Sequence, residues 1–167
     1  MIRTPLLRAV TALGLVLAVA ACEAPPASPE AAAPQAAAMP GGLPEVDMEA
    51  VRAAAMGHSP VQLLQFSPRG TRALASRIRG DGAPAYAVPV AAGQTLTIVF
   101  RSPIHAASFN VMDVASPQEA VHRGSVEGNI AALKPARPTT YVIVPFTERA
   151  VARRGTVANF TLTITRE

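Results

Sequence analysis

The strongest constraint on this chain is a period of two. In Thr95-Leu96-Thr97-Ile98-Val99-Phe100, Leu96, Ile98 and Phe100 share one face and Thr97 and Val99 the other. That spacing suits a strand with one buried side and cannot be satisfied by a helix. Phe160-Thr161-Leu162-Thr163-Ile164-Thr165 repeats it, with Phe160, Leu162 and Ile164 inward. Leu74 and Ile78 flank exposed Arg77 and Arg79 in a third run, and Tyr86, Val88 and Val90 mark a fourth. Pro89 lacks a ladder donor, which predicts an edge strand or a bulge at that point. Further strands are expected at Val61–Phe66, Ser108–Val114, Ile130–Leu133 and Tyr141–Phe146.

Turn residues punctuate these runs: Pro68 and Gly70, Gly80-Asp81-Gly82, Ala92-Gly93, Ser116-Pro117, Gly128-Asn129, and Pro135 with Pro138. Short strands at regular intervals predict an all-β fold, a small antiparallel β-sandwich of about eight strands or a small barrel, over residues 57–167. The alternation stops once, at Glu148–Arg154, where three arginines gather in a loop or a single helical turn. Loops on a rigid sandwich are where binding residues tend to sit.

The N-terminal third reads differently. Arg3 and Arg8 precede an uncharged apolar run, Ala9–Ala21. That run is short of the roughly 20 residues of a membrane span but suits a secretory signal. It ends in Val19-Ala20-Ala21-Cys22, which resembles a bacterial lipobox. Residues 1–21 are thus expected to be a signal peptide and Cys22 the lipid attachment point. Cys22 is the single cysteine of the chain, so a mature domain forms no internal disulfide. Glu23 in place of aspartate favours the periplasmic face of the outer membrane. Residues 22–56 read as a linker, Ala- and Pro-rich as far as Pro44, with too little apolar bulk for a core. In polyproline II form it could span roughly 65 Å. Its last part, 45–56, carries helical spacing in Val46, Ala50 and Val51, or stays irregular.

Charge narrows the choice of partner. The chain has a net charge of +4, but from Val51 onward thirteen Arg and Lys face six Asp and Glu, a balance of +7. An arginine-rich domain favours acidic partners. An exported, tethered domain with few aromatics is not expected to bind nucleic acid. Catalytic patterns are missing. His58, His105 and His122 are far apart, without a Cys or carboxylate at metal-ligand spacing, so neither metal nor cofactor is expected. Gly124-Ser125-Val126-Glu127-Gly128 has its serine misplaced for a nucleophile elbow and reads as a turn. The chain is read as a binding protein, not an enzyme.

A family resemblance emerges in the second half. Ala92-Gly93-Gln94-Thr95-Leu96, Phe109-Asn110-Val111, Gly124-Ser125 and Gly128-Asn129 resemble motifs of the periplasmic inhibitors of goose-type (g-type) lysozyme and their uncharacterised relatives. The tail is the nearest match: Tyr141, then Arg149-Ala150-Val151-Ala152-Arg153-Arg154-Gly155, then Phe160–Ile164. The resemblance runs from about Phe66 to the C-terminus.

It implies a small β-sandwich presenting a loop that plugs the acidic cleft of a lysozyme. The family's two signature arginines correspond to Arg149 and Arg153, with Tyr141 and Arg154 beside them in the motif. A guanidinium can fork onto a carboxylate with two parallel charge-assisted hydrogen bonds. Two departures bear on this. The family's Ser-Gly-x-Tyr is here Pro138-Thr139-Thr140-Tyr141, and Asp81 stands where the inhibitors use a tyrosine. An acidic residue there would repel a catalytic carboxylate. Two readings follow: an inhibitor of a cell-wall lytic enzyme, or a structural or interaction lipoprotein of the envelope that contacts peptidoglycan or other envelope components.

Overall fold

The computed structural model describes residues 38–39 and 42–167. The expectations for the signal peptide, Cys22 and most of the Ala/Pro tether lie outside the described residues. In chain order the elements are β1 (Ala38–Met39), β2 (Leu43–Pro44), α1 (Met48–Ala54), β3 (Val61–Leu63), β4 (Gly70–Arg79), β5 (Ala85–Val90) and β6 (Leu96–Arg101). There follow β7 (Ala107–Asp113), β8 (Ser116–Arg123), α2 (Gly124–Glu127), β9 (Ile130–Leu133), β10 (Thr139–Thr147), α3 (Arg149–Ala152) and β11 (Val157–Arg166).

The alternating runs form two facing sheets. One has the order β3-β5-β10-β7-β8, the other β4-β11-β6-β9. All pairings are antiparallel except β3 on β5. Phe100 in the second sheet stacks on Phe109 in the first, centroids 5.6 Å apart, and on Phe160 at 5.3 Å. Around them Leu96, Ile98, Val111, Ile143, Leu162 and Ile164 are fully buried. The fold is the all-β sandwich that the alternation predicts.

Three local expectations change. Pro89 is not on an edge strand, since β5 runs between β3 and β10. However, β3 pairs only with Ala85–Ala87. Leu64 N donates to Ala87 O, so by the period of two Pro89 also faces the β3 side, past the end of β3. No neighbouring strand needs the missing donor there. Ser116-Pro117, expected as a turn, opens β8, which brings the two sheets to nine strands among the described residues.

The third change concerns the segment before residue 57. β1 pairs with β2, Leu43 is buried, and α1 lays Val51, Ala54 and Ala55 on Ala85, Ala87, Met112, Val142 and Val144. Asp47 caps the helix, its carboxylate accepting from Glu49 N at 2.8 Å and Ala50 N at 3.1 Å. The linker read from sequence therefore ends in a piece that covers the outer face of the five-stranded sheet. That face needs a cover because β5 and β10 are apolar on both sides.

Four connections cross between the sheets at one end of the sandwich: β4 to β5, β6 to β7, β8 through α2 to β9, and β10 to β11. Their ends are adjacent by register, with Arg79 opposite Val157, Thr147 opposite Ala107 and Arg101 opposite Thr161. Glu148 N donates to Ala106 O at 2.9 Å, and Thr147 Oγ1 reaches Gly80 O at 3.5 Å.

Candidate functional site

The break in alternation at Glu148–Arg154 is a single helical turn at this end. Val151 N and Ala152 N donate to Glu148 O at 2.9 and 3.0 Å, and Arg153 N donates to Arg149 O at 3.0 Å. Gly155, at φ 68°, takes the left-handed conformation that ends the turn and turns the chain into β11. Buried Ala152 pins the turn inward. Its carbonyl lies 3.7 Å from where a Cβ would stand on Gly80. The α3 turn and the Gly80-Asp81-Gly82 turn are therefore in close contact.

Arg149 and Arg153 are four residues apart and share one side of the turn. Both are exposed. Together with Asp81 they line one small cleft of about 350 Å³. Among the described residues, neither arginine has a carboxylate within 4.0 Å. Asp81 thus shares their cleft without pairing to them. Chemically the cleft offers two guanidinium forks to an anion, opposed by one carboxylate on its rim.

The other residues expected from sequence separate from this pair. Arg154 is exposed on the same turn but does not line the cleft. Tyr141 is 5 % exposed and belongs to the core between the sheets, packed in β10 opposite Asp113 and Val88. Burial pushes its phenol pKa up, and the Asp113 carboxylate adds to the shift. Little of its side chain is left at the surface for a partner to touch. Thr139, which stands at the glycine position of the Ser-Gly-x-Tyr pattern, donates to Asp113 Oδ1 at 2.5 Å and is buried. His58 stands near Asp81. Burial holds its imidazole below the ordinary value, with the Ala83 backbone and the Asp81 carboxylate offsetting part of the shift.

A second group of side chains was not connected by sequence spacing. Strand order in the four-stranded sheet brings Arg77, Arg101, His105, Asn129, Asn159 and Thr161 around one open groove of about 1010 Å³ on its outer face. The signal that could have found it is cross-strand register, which is invisible until β11 is known to lie between β4 and β6.

No family model and no curated protein matches the sequence. Solved structures resemble the fold. One is the Aeromonas hydrophila periplasmic inhibitor of g-type lysozyme, PliG, at 23 % identity and a TM-score of 0.57, covering 64 % of this chain and 96 % of that one. Another is the Salmonella Typhimurium PliG, at 13 % identity and a TM-score of 0.51, covering 65 % of this chain and 100 % of that one. At these identities the likeness is one of architecture: about two thirds of the chain builds a β-sandwich similar to that of the PliG lysozyme inhibitors.

Proposed function

We propose that this chain is an envelope lipoprotein whose basic sandwich binds a protein partner through the α3 end, the partner being a g-type lysozyme or a related cell-wall lytic enzyme. Cys22 carries the lipid and the periplasmic face of the outer membrane is its site of anchorage. The observation that carries the reading is the pairing of exposed Arg149 and Arg153 on one pinned helical turn, facing a common cleft. Such a turn can enter an acidic cleft and fork onto a carboxylate. The likeness to sandwiches that inhibit g-type lysozyme adds support of a coarser kind. The role is binding, without chemistry on a substrate.

Asp81 supports a second reading. It lies in the same cleft and lowers its positive potential, which suits a non-inhibitory interaction lipoprotein that touches peptidoglycan or another envelope component.

The test is a turbidity assay of a g-type lysozyme on cell walls, titrated with the full chain and with the Arg149→Ala/Arg153→Ala double variant. The expected result is inhibition that falls at least tenfold in the double variant, about 1.4 kcal/mol or more. No inhibition by the wild-type chain at micromolar concentration overturns the inhibitor reading in favour of the second.

A further inference from the structure

We propose that the outer face of the four-stranded sheet is a second binding site, separate from the α3 end, which takes an extended acidic peptide segment of a partner protein. The proposal stands independently of the function assigned to Arg149 and Arg153.

The site is a groove of about 1010 Å³ floored by small and polar side chains of adjacent strands. Asn159 and Thr161 on β11 occupy its middle. Arg77 on β4 pairs opposite Asn159, and Arg101 on β6 pairs opposite Thr161. The two arginines therefore bracket the central strand diagonally, two strands and two residues apart, or roughly 12 Å at the backbone. Ser102 Oγ donates to Asn159 O at 2.8 Å and accepts from Ile104 N at 3.1 Å, which fixes one wall formed by the β6–β7 connection. On the far side, Val99 and 62 %-exposed Ile130 give the groove an apolar margin.

Charge decides the sign of the occupant. β4, β11, β6 and β9 contain no Asp or Glu. Among the described residues, neither Arg77 nor Arg101 has a carboxylate within 4.0 Å. Both are exposed guanidinium groups with their forks unengaged by acidic side chains. A groove with two such forks and no counter-charge is complementary to carboxylates.

The lining decides the class. Sugar recognition relies on exposed aromatic faces, and the two phenylalanines here, Phe100 and Phe160, are buried beneath the groove at 1 % and 2 % exposure. The side-chain amides of Asn129 and Asn159 and the hydroxyl of Thr161 can instead satisfy a peptide backbone, while Val99 and Ile130 receive an apolar side chain. In an extended peptide, residues four apart point the same way and lie about 13 Å apart, which matches the separation of the two arginines.

The test uses the full chain and a fluorescein-labelled ten-residue peptide of alternating glutamate and valine, followed by anisotropy at low salt. Saturable binding is expected, weakened at least tenfold by Arg77→Gln/Arg101→Gln and changed less than twofold by Arg149→Ala/Arg153→Ala. The glutamine-for-glutamate peptide should not bind. Both arginines are exposed, and an unchanged thermal melt checks that the Gln variants fold. The proposal is overturned by absence of binding, by equal binding of the glutamine peptide, or by binding that survives Arg77→Gln/Arg101→Gln. It is also overturned if polygalacturonate binds this face through the same arginines while the peptide does not.

Discussion

Arg166 is the residue whose position departs furthest from its chemistry. It is a charged side chain at 1 % exposure, last in β11, with no carboxylate within 4.0 Å among the described residues. Its guanidinium lies 3.9 Å over the Phe66 ring and donates to the carbonyls of Pro89 at 2.8 Å, Ser67 at 3.0 Å, and Phe66. Burial draws its pKa below the ordinary value. By bonding Pro89 O it ties β11 of one sheet to β5 of the other, at the spot where β3 has ended. Arg166→Ala removes the donor from three carbonyls and leaves a void, so a loss of about 3 kcal/mol is expected from urea unfolding. A loss below about 0.5 kcal/mol would remove the clamp from the description of the fold.

His58 is legible in a different way, through pH. Its folded pKa lies below the unfolded 6.5, chiefly because burial penalises the cation. The unfolded chain therefore binds the proton more tightly. Stability from this group is present in full above pH 6.5 and is lost as pH falls through that value toward the folded pKa. Melting temperatures at pH 7.5 and pH 5.0 should diverge more in the wild type than in His58→Gln. Equal divergence would assign the acid sensitivity to other groups.

At the scale of elements, the strands were read correctly wherever one face is buried and the other wet. β6 and β11 alternate cleanly because their outer face meets solvent. β5 and β10 do not alternate, since both of their faces are covered, and Ala85–Val90 reads as a continuous apolar run. That run was itself a signal that a further layer exists. The helix α1 falls within 45–56, where the spacing of Val46, Ala50 and Val51 allows one; that it forms a layer on the sheet was hard to see because it follows an Ala/Pro stretch and spans only Met48–Ala54. β8 was hidden for another reason: Ser116-Pro117 has turn composition, yet proline is tolerated near the start of an outer strand. If α1 is a working layer, Val51→Ala, which hollows a fully buried contact with the sheet, should cost about 2 kcal/mol in chemical denaturation. A neutral result would make the helix a passenger.

At the scale of the whole molecule, topology does what no single segment could reveal. Four crossovers between the sheets converge at one end, and this sets the α3 turn against the Gly80-Asp81-Gly82 turn from far away in sequence. Arg149 and Arg153 were legible as a pair from their spacing, and Asp81 as an oddity from the family pattern. That the three share a cleft required the fold. Tyr141 lies on the inward face of β10 with its alternation partner Ile143, and a motif tyrosine on a strand does not disclose which face it takes. The arginines of the outer groove stayed unconnected because register between β4, β11 and β6 cannot be read along the chain.

On the proposed function, the α3 cleft grips an acidic group of a cell-wall lytic enzyme and Asp81 weakens the grip. Isothermal calorimetry of a g-type lysozyme against the full chain, the Arg149→Ala/Arg153→Ala variant and Asp81→Asn tests it most directly. Binding should weaken at least tenfold in the double variant and tighten severalfold in Asp81→Asn, with both differences shrinking as salt is raised. Binding of equal strength in all three proteins, or no heat of binding from any of them, would contradict it.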